Sequence, residues 1–159
     1  MSLEKYQDVL SKLTTNYIVR KSFFEDRNKY VDALYVSDSY KNKLLALDEK
    51  QIMEFSMGLL RKRFGTVKKL LILDEKEVAL IQPIYFSYAK VTPIKGKVFK
   101  HQFDALNFLK HLKSEKIKFD EDLKIKLKHR QMALENYLVS ENQIKSKRRL
   151  KIPRFLKFK

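Results

Sequence analysis

One short segment has residue types that could take part in phosphate chemistry. The apolar run 71–73 is followed directly by Asp74, and Lys76 comes two positions later. If the run were a strand, a carboxylate and an amine would lie at its end, as they do in many metal-dependent nucleases. Such a site needs a second carboxylate to share a divalent metal ion, and no spacing pairs Asp38 or Asp48 with Asp74. We therefore expect no enzyme here, with a metal-dependent nuclease as a minor alternative.

The remaining residue types predict no cofactor, metal or small-molecule site. The chain has no cysteine, and its three histidines, at positions 101, 111 and 129, lack the spacing of metal ligands. With three glycines among 159 residues there is no glycine-rich loop to hold a phosphate. No apolar run approaches the ~20 residues of a membrane span, so we expect a cytoplasmic protein, with association with a nucleoid or a virion also open.

The segment around Asp74 belongs to an octapeptide that occurs twice, as KLLALDEK and KLLILDEK. Asp48, in the first copy, precedes apolar residues at three- and four-residue spacing, which predicts a helix N-cap. The second copy leads into Val78–Phe86, which has the composition of a strand and contains Pro83. This difference predicts a hairpin turn at residues 74–77 and argues against a structural repeat.

The same periodicity predicts the other elements. Helices are expected at about residues 2–13, 23–35, 40–47, 49–64, 101–113 and 120–139. The hairpin strands are expected at residues 66–73 and 78–91, with a short third strand near Val98. Residues 115–128 also alternate as a hairpin would, but the helical phase of the later leucines favours a helix.

These elements predict an α+β fold: a predominantly helical single domain, residues 1–144, with a central antiparallel β-hairpin and a basic C-terminal tail, residues 145–159. Two helices followed by a hairpin is also the order of a winged helix-turn-helix. In that arrangement the helix at 49–64 would face DNA, with the hairpin as the wing. Glu49 and Glu54 near its N-terminus argue against a simple transfer of that geometry.

The positive charge is concentrated at the C-terminus. The formal net charge is +16, and residues 145–159 supply half of it, with eight Lys and Arg and no acid. Large apolar residues are interleaved with these cations, which a purely solvated tail does not need. The tail could bind nucleic acid, an anionic membrane surface, or a groove on another protein, or it could dock on its own domain.

The function predicted from these features is non-enzymatic nucleic-acid binding, with DNA favoured over RNA. The alternative is a structural or assembly protein of a viral particle or nucleoprotein complex, whose tail docks into neighbouring subunits. A homo-oligomer is compatible with both functions, whereas a membrane surface is a less favoured partner. The predicted nucleic-acid-binding residues are Arg61, Lys62, Arg63, Lys68, Lys69, Lys147, Arg148, Arg149, Lys151, Arg154, Phe155, Lys157, Phe158 and Lys159.

Overall fold

The structure is a computed structural model that describes residues 3–34, 37–94, 96, 98–115 and 117–150, with side chains described through Glu141. Within these residues the chain forms eight α-helices and no strand. The helices are α1 Leu3–Thr15, α2 Tyr17–Glu25, α3 Arg27–Asp32, α4 Asp38–Leu45, α5 Glu49–Leu71, α6 Glu75–Val91, α7 Lys100–Ser114 and α8 Glu121–Leu150. None of these helices is long and apolar enough to cross a membrane.

The predicted α+β fold is wrong, because the residues assigned to the hairpin are helical. Residues 66–71 form the last part of α5, and residues 78–91 lie in α6. Helix α5 continues through Gly65 because its buried residues keep helical spacing on both sides of that glycine. The winged-helix prediction is wrong for the same reason, since no strand in the described part of the chain could form a wing. The third strand near Val98 is likewise absent there.

Helix α6 begins at a capping box that the hairpin prediction overlooked. The Asp74 carboxylate accepts a hydrogen bond from the Glu77 backbone N–H at 2.9 Å, and the Glu77 carboxylate accepts one from the Asp74 N–H at 2.8 Å. Pro83 lies inside this helix on its exposed side. Its missing N–H is tolerated because Ile81 and Tyr85, on either side of it, are fully buried and anchor the helix.

The other helix predictions are confirmed in outline, except the single helix predicted over residues 23–35. Asp48 caps α5, accepting a hydrogen bond from the Gln51 N–H at 2.8 Å. The segment predicted as one helix over 23–35 is divided between α2 and α3, which are capped by Asn16 and Asp26. Residues 121–128 are helical, so the hairpin alternative for 115–128 is wrong.

The helices group into two compact units. The first comprises Met1–Lys69 and Leu73–Ile94, and the second comprises Leu70–Ile72 and Lys95–Lys159. A single domain ending at residue 144 stays a prediction. The two units show which residues lie close together, and this does not test whether the chain folds as one domain. The predicted start of the tail, residue 145, falls inside the backbone of α8.

The first unit has an apolar core built by its N-terminal helices. Val9, Leu13, Phe23, Val31 and Leu44 are buried together there. Aromatic packing joins α5 to α6, since the rings of Phe64 and Tyr85 lie 5.2 Å apart between centroids. These contacts fix α5 along one side and leave its other side exposed.

The second unit is an antiparallel pair formed by α7 and α8. The ring of Phe99, just before α7, packs against Tyr137 in the later part of α8, at 5.8 Å between centroids. At the opposite end, Leu112 of α7 and Leu127 of α8 line one cavity. The side of α8 that carries Leu123, Leu127, Leu134 and Leu138 is buried.

Candidate nucleic-acid interface

Helix α5 places four of the predicted cations on its exposed side. Arg61, Lys62, Lys68 and Lys69 are all exposed. The helix also buries an apolar stripe at three- and four-residue spacing, which lies opposite Lys62 and Lys69 and about a quarter-turn from Arg61 and Lys68. The stripe consists of Leu60, Phe64, Val67 and Leu71.

The four cations form a compact patch by helix geometry. Arg61 and Lys68 are seven residues apart, as are Lys62 and Lys69, which corresponds to about 10 Å along the axis. Neighbouring residues differ by about 100° around the helix, so the two pairs form two rows about 100° apart on its exposed surface. No acidic residue occurs between Phe55 and Leu73. We call these four residues the α5 basic patch.

The electrostatic setting of the α5 basic patch differs from that of other basic side chains. Lys12, Lys41 and Lys124 form ion pairs with acids of their own unit, at 2.6 to 3.3 Å. No ion pair joins any of the four patch residues to another residue in the described part of the chain. Their charges are therefore available to an anionic partner, although cations in the last turns of a helix also stabilise it through the helix dipole.

The first half of α5 is not part of this patch. Glu49, Lys50, Met53 and Glu54 line a shallow depression there, of about 530 Å³, which Arg61 borders at its far end. The mixed charges of this depression do not favour phosphate. Recognition helices contact bases chiefly through their N-terminal residues, so the mixed charge at this end of α5 also argues against winged-helix geometry.

Arg63 has a different role from its neighbours in the sequence. It is half-buried, and its Nη1 donates to the carbonyl oxygens of Ala89, at 3.2 Å, and Thr92, at 2.8 Å. Its guanidinium also lies over the Tyr85 ring, 5.7 Å from the centroid. These carbonyls lie at the C-terminal end of α6, so Arg63 satisfies acceptors that have no partner within the helix.

Three more arginines make contacts of the same kind, and sequence reasoning missed this role. Arg20 donates to Leu13 O at the end of α1 and to the Ser56 hydroxyl, at 2.9 and 2.8 Å. Arg27 donates to Leu45 O and Leu47 O at the end of α4, at 3.2 and 2.9 Å. Arg130 donates through Nε and Nη2 to Leu70 O, at 3.0 and 2.7 Å, in the last turn of α5.

Burial lowers the pKa of Arg20 below its ordinary value, because desolvation disfavours the charged guanidinium. The two hydrogen bonds compensate part of that cost. Four of the five arginines with a described side chain therefore contribute to structure, and Arg61 is the exception among them.

The predicted tail residues are not placed by the structure. Lys147, Arg148 and Arg149 lie on the backbone of α8 but beyond the last described side chain. Lys151, Arg154, Phe155, Lys157, Phe158 and Lys159 lie outside the described residues altogether. Only the α5 part of the predicted interface has a described geometry.

The segment considered for nuclease chemistry forms a helix start. Asp74 uses its carboxylate as the N-cap of α6, and Lys76 is exposed in the first turn. Among the described residues there is no group of three or more His, Asp or Glu arranged to hold a metal ion. The local geometry therefore gives Asp74 a structural role.

Helix α8 carries a second feature that the sequence analysis did not use. Ile125, Met132 and Val139 follow at seven-residue spacing and are 47%, 53% and 56% exposed. By helix geometry they lie on the side opposite the buried leucines, and Met132 also borders the cavity where α7 ends and α8 begins. The spacing was visible in the sequence, but the leucine stripe accounted for the helix by itself, so the second stripe gave no separate signal. We call these three residues the α8 apolar stripe.

A cavity of about 450 Å³ lies where α7 ends and α8 begins. Leu109, Leu112 and Phe119 form apolar walls, while Lys113 and Lys128 lie at the rim. It depends on how two separate helices pack, so no local sequence pattern indicates it.

Comparisons with known proteins give no relative from which to transfer a function. No protein-family model, no curated protein and no solved structure matches this chain.

Proposed function

We propose that this chain is a non-enzymatic nucleic-acid-binding protein that contacts phosphates through the α5 basic patch and the basic C-terminal segment. The observation that carries the proposal is the patch itself: four exposed cations within about two and a half helical turns, in a stretch without acids. Such an arrangement favours a polyanion because each phosphate contact releases a condensed counterion.

The proposed binding is to the backbone and not to base edges. Lysine provides three of the four patch side chains, and its ammonium acts as a point charge. Bidentate recognition of guanine relies chiefly on arginine in the major groove. With Arg63 bound to carbonyls, Arg61 is the one described arginine on this surface. DNA and RNA are equal candidates, because the winged-helix reasoning that favoured DNA no longer applies. A cytoplasmic location is part of the same proposal.

The test is to remove the charge of the patch without adding acids near the C-terminal end of α5. The variant changes Arg61, Lys62, Lys68 and Lys69 to Gln. A matched control changes four exposed lysines on other helices to Gln, with the same loss of net charge. These control positions are Lys5, Lys29, Lys90 and Lys110.

Binding to duplex DNA, single-stranded DNA and RNA is then measured by fluorescence anisotropy. The patch variant should lose affinity for every ligand that the wild type binds, and the control should retain most of it. Equal affinities of the two variants would remove the patch from the interface. No binding by the wild type to any of the three would reject the proposal.

A structural or assembly protein is the second candidate, and the α8 apolar stripe favours it. Exposed apolar side chains at regular spacing along a helix are typical of a surface that contacts another protein. This candidate predicts association through α8 and does not need the α5 basic patch.

A further inference from the structure

The α8 apolar stripe has the spacing of a helix–helix contact. Ile125, Met132 and Val139 repeat every seven residues, which keeps them on one side of a helix over two heptads. All three are about half exposed although their side chains are wholly apolar. The described side chains of α8, from Glu121 to Glu141, extend over about 30 Å, long enough for a partner helix to cover the stripe.

The charges beside the stripe indicate which partner fits. Lys128 and Glu135 are seven residues apart on one flank of the stripe, and Met132 lies about midway between them. In an antiparallel pair centred on Met132, Ile125 of one copy faces Val139 of the other. The same symmetry places Lys128 of each copy beside Glu135 of the second copy, so two opposite-charge pairs form.

The alternative arrangements are less favourable. A parallel pair in register would form neither of these opposite-charge pairs, because its twofold axis runs along the helices and places the Lys128–Glu135 flanks of the two copies on opposite faces of the pair. The chain's own C-terminal segment, with eight cations and no acid, complements Glu135 but not Lys128. A second copy in the antiparallel orientation satisfies the apolar and the charged positions together.

We propose that this chain forms a homodimer through α8, as an antiparallel helix pair with twofold symmetry centred on Met132. The interface is isologous: each copy contributes the same stripe and the same flanking charges, so the contact closes on itself without forming a filament. The interface uses none of the residues of the α5 basic patch, so the two contacts can be tested with separate variants.

The first test places like charges at the symmetry axis. Met132→Lys should raise the dimer dissociation constant by about tenfold or more, equivalent to the loss of ~1.4 kcal/mol, because two ammonium groups replace an apolar contact. Met53→Lys is the matched control, since Met53 is 51% exposed on α5. Sedimentation equilibrium of the full chain measures both. A wild type that stays monomeric, or equal effects of the two variants, would overturn the proposal.

The second test uses charge reversal and does not depend on a change in the apolar layer. Lys128→Glu and Glu135→Lys should each weaken the dimer, because each places like charges side by side. The double variant Lys128→Glu/Glu135→Lys restores opposite charges and should recover most of the wild-type association. Circular dichroism confirms that each variant is folded. Failure of the double variant to recover would contradict the antiparallel register even if Met132→Lys dissociates the dimer.

Discussion

At the scale of single residues, arginine and lysine have different roles in this chain. Arg20, Arg27, Arg63 and Arg130 each donate to carbonyl groups at or just beyond the end of a helix. These carbonyls lack partners within their own helix, and a guanidinium, with several N–H donors in a fixed plane, can satisfy more than one acceptor. Among the side chains that the structure describes, the positive charge that a partner can reach therefore comes largely from lysine.

Adjacent arginines on α5 provide a direct test of this division. Arg63→Ala should lower the free energy of unfolding by about 1.5 to 3 kcal/mol, because it removes charged hydrogen bonds to the end of α6. Arg61→Ala should change it by less than about 0.5 kcal/mol, since Arg61 is exposed. Urea denaturation measures both. Equal stability of the two variants would show that Arg63 does not support α6.

Ile72 has a backbone conformation that is unfavourable for its β-branched side chain. It follows α5 with φ of 55°. The next residue, Leu73, donates its backbone N–H to Lys68 O at 3.1 Å, which caps the C-terminus of the helix. This position usually holds glycine, because a β-branched side chain is strained in the left-handed region. The Ile72 side chain is 57% exposed, so burial offsets little of that strain.

Replacing Ile72 with glycine should therefore stabilise the protein. Ile72→Gly relieves about 1 to 2 kcal/mol of strain in the left-handed region. Glycine also raises the entropy of the unfolded chain, which offsets part of this, so the free energy of unfolding should rise by about 1 kcal/mol. Ile72→Ala keeps most of the strain and is the control. Thermal melts of both variants measure the difference, and a lower melting temperature for Ile72→Gly would contradict the account.

At the scale of elements, helix α6 shows where local sequence preference was overridden. Pro83 and the neighbouring apolar residues predicted a strand, but the segment is a helix that buries Ile81, Tyr85, Tyr88 and Ala89 along one side. Those positions follow helical spacing. The start signal was also present in the sequence, because Asp74 and Glu77 have the spacing of a capping box. An N-cap at Asp48 was recognised, and it correctly predicted the start of α5, although α5 ends at Leu71 and not at residue 64.

The proline in α6 makes a testable contribution to its stability. Pro83→Ala restores a backbone N–H opposite the Ala79 carbonyl and removes the ring from that turn, so it should raise the free energy of unfolding by about 1 to 3 kcal/mol. Leu80→Ala, at an exposed position of the same helix, alters no backbone donor and should change stability by less than about 0.5 kcal/mol. Denaturant titrations compare the two. A destabilised Pro83→Ala would mean that the proline is required for the fold.

Sequence reasoning located most helices but not the roles of their arginines. The helices near residues 2–13, 40–47, 101–113 and 120–139 were predicted because the periodicity of apolar residues can be read without knowing which elements they pack against. Arg63 was assigned to the interface because its charge is visible in the sequence, whereas the carbonyl groups to which it donates are brought to it only by the fold. Arg61 and Lys62 could be proposed from sequence alone, but their exposure needed the position of α5 in the fold.

At the scale of the whole molecule, charge and apolar surface indicate two separate contacts. The α5 basic patch belongs to the first unit and the α8 apolar stripe to the second. Variants of one surface should leave the other contact unchanged, so binding and dimerisation can be measured independently. This separation distinguishes a failure of the dimer proposal from a failure of the nucleic-acid proposal.

The central claim, phosphate contact by the α5 basic patch, is tested most directly by the salt dependence of binding. Each phosphate neutralised on duplex DNA contributes about −0.9 to the slope of log affinity against log salt. Changing Arg61, Lys62, Lys68 and Lys69 to Gln should therefore make the slope shallower by about 3 to 4 units if all four engage. The control with Gln at Lys5, Lys29, Lys90 and Lys110 should keep the wild-type slope. Identical slopes for the wild type and the patch variant would contradict the account.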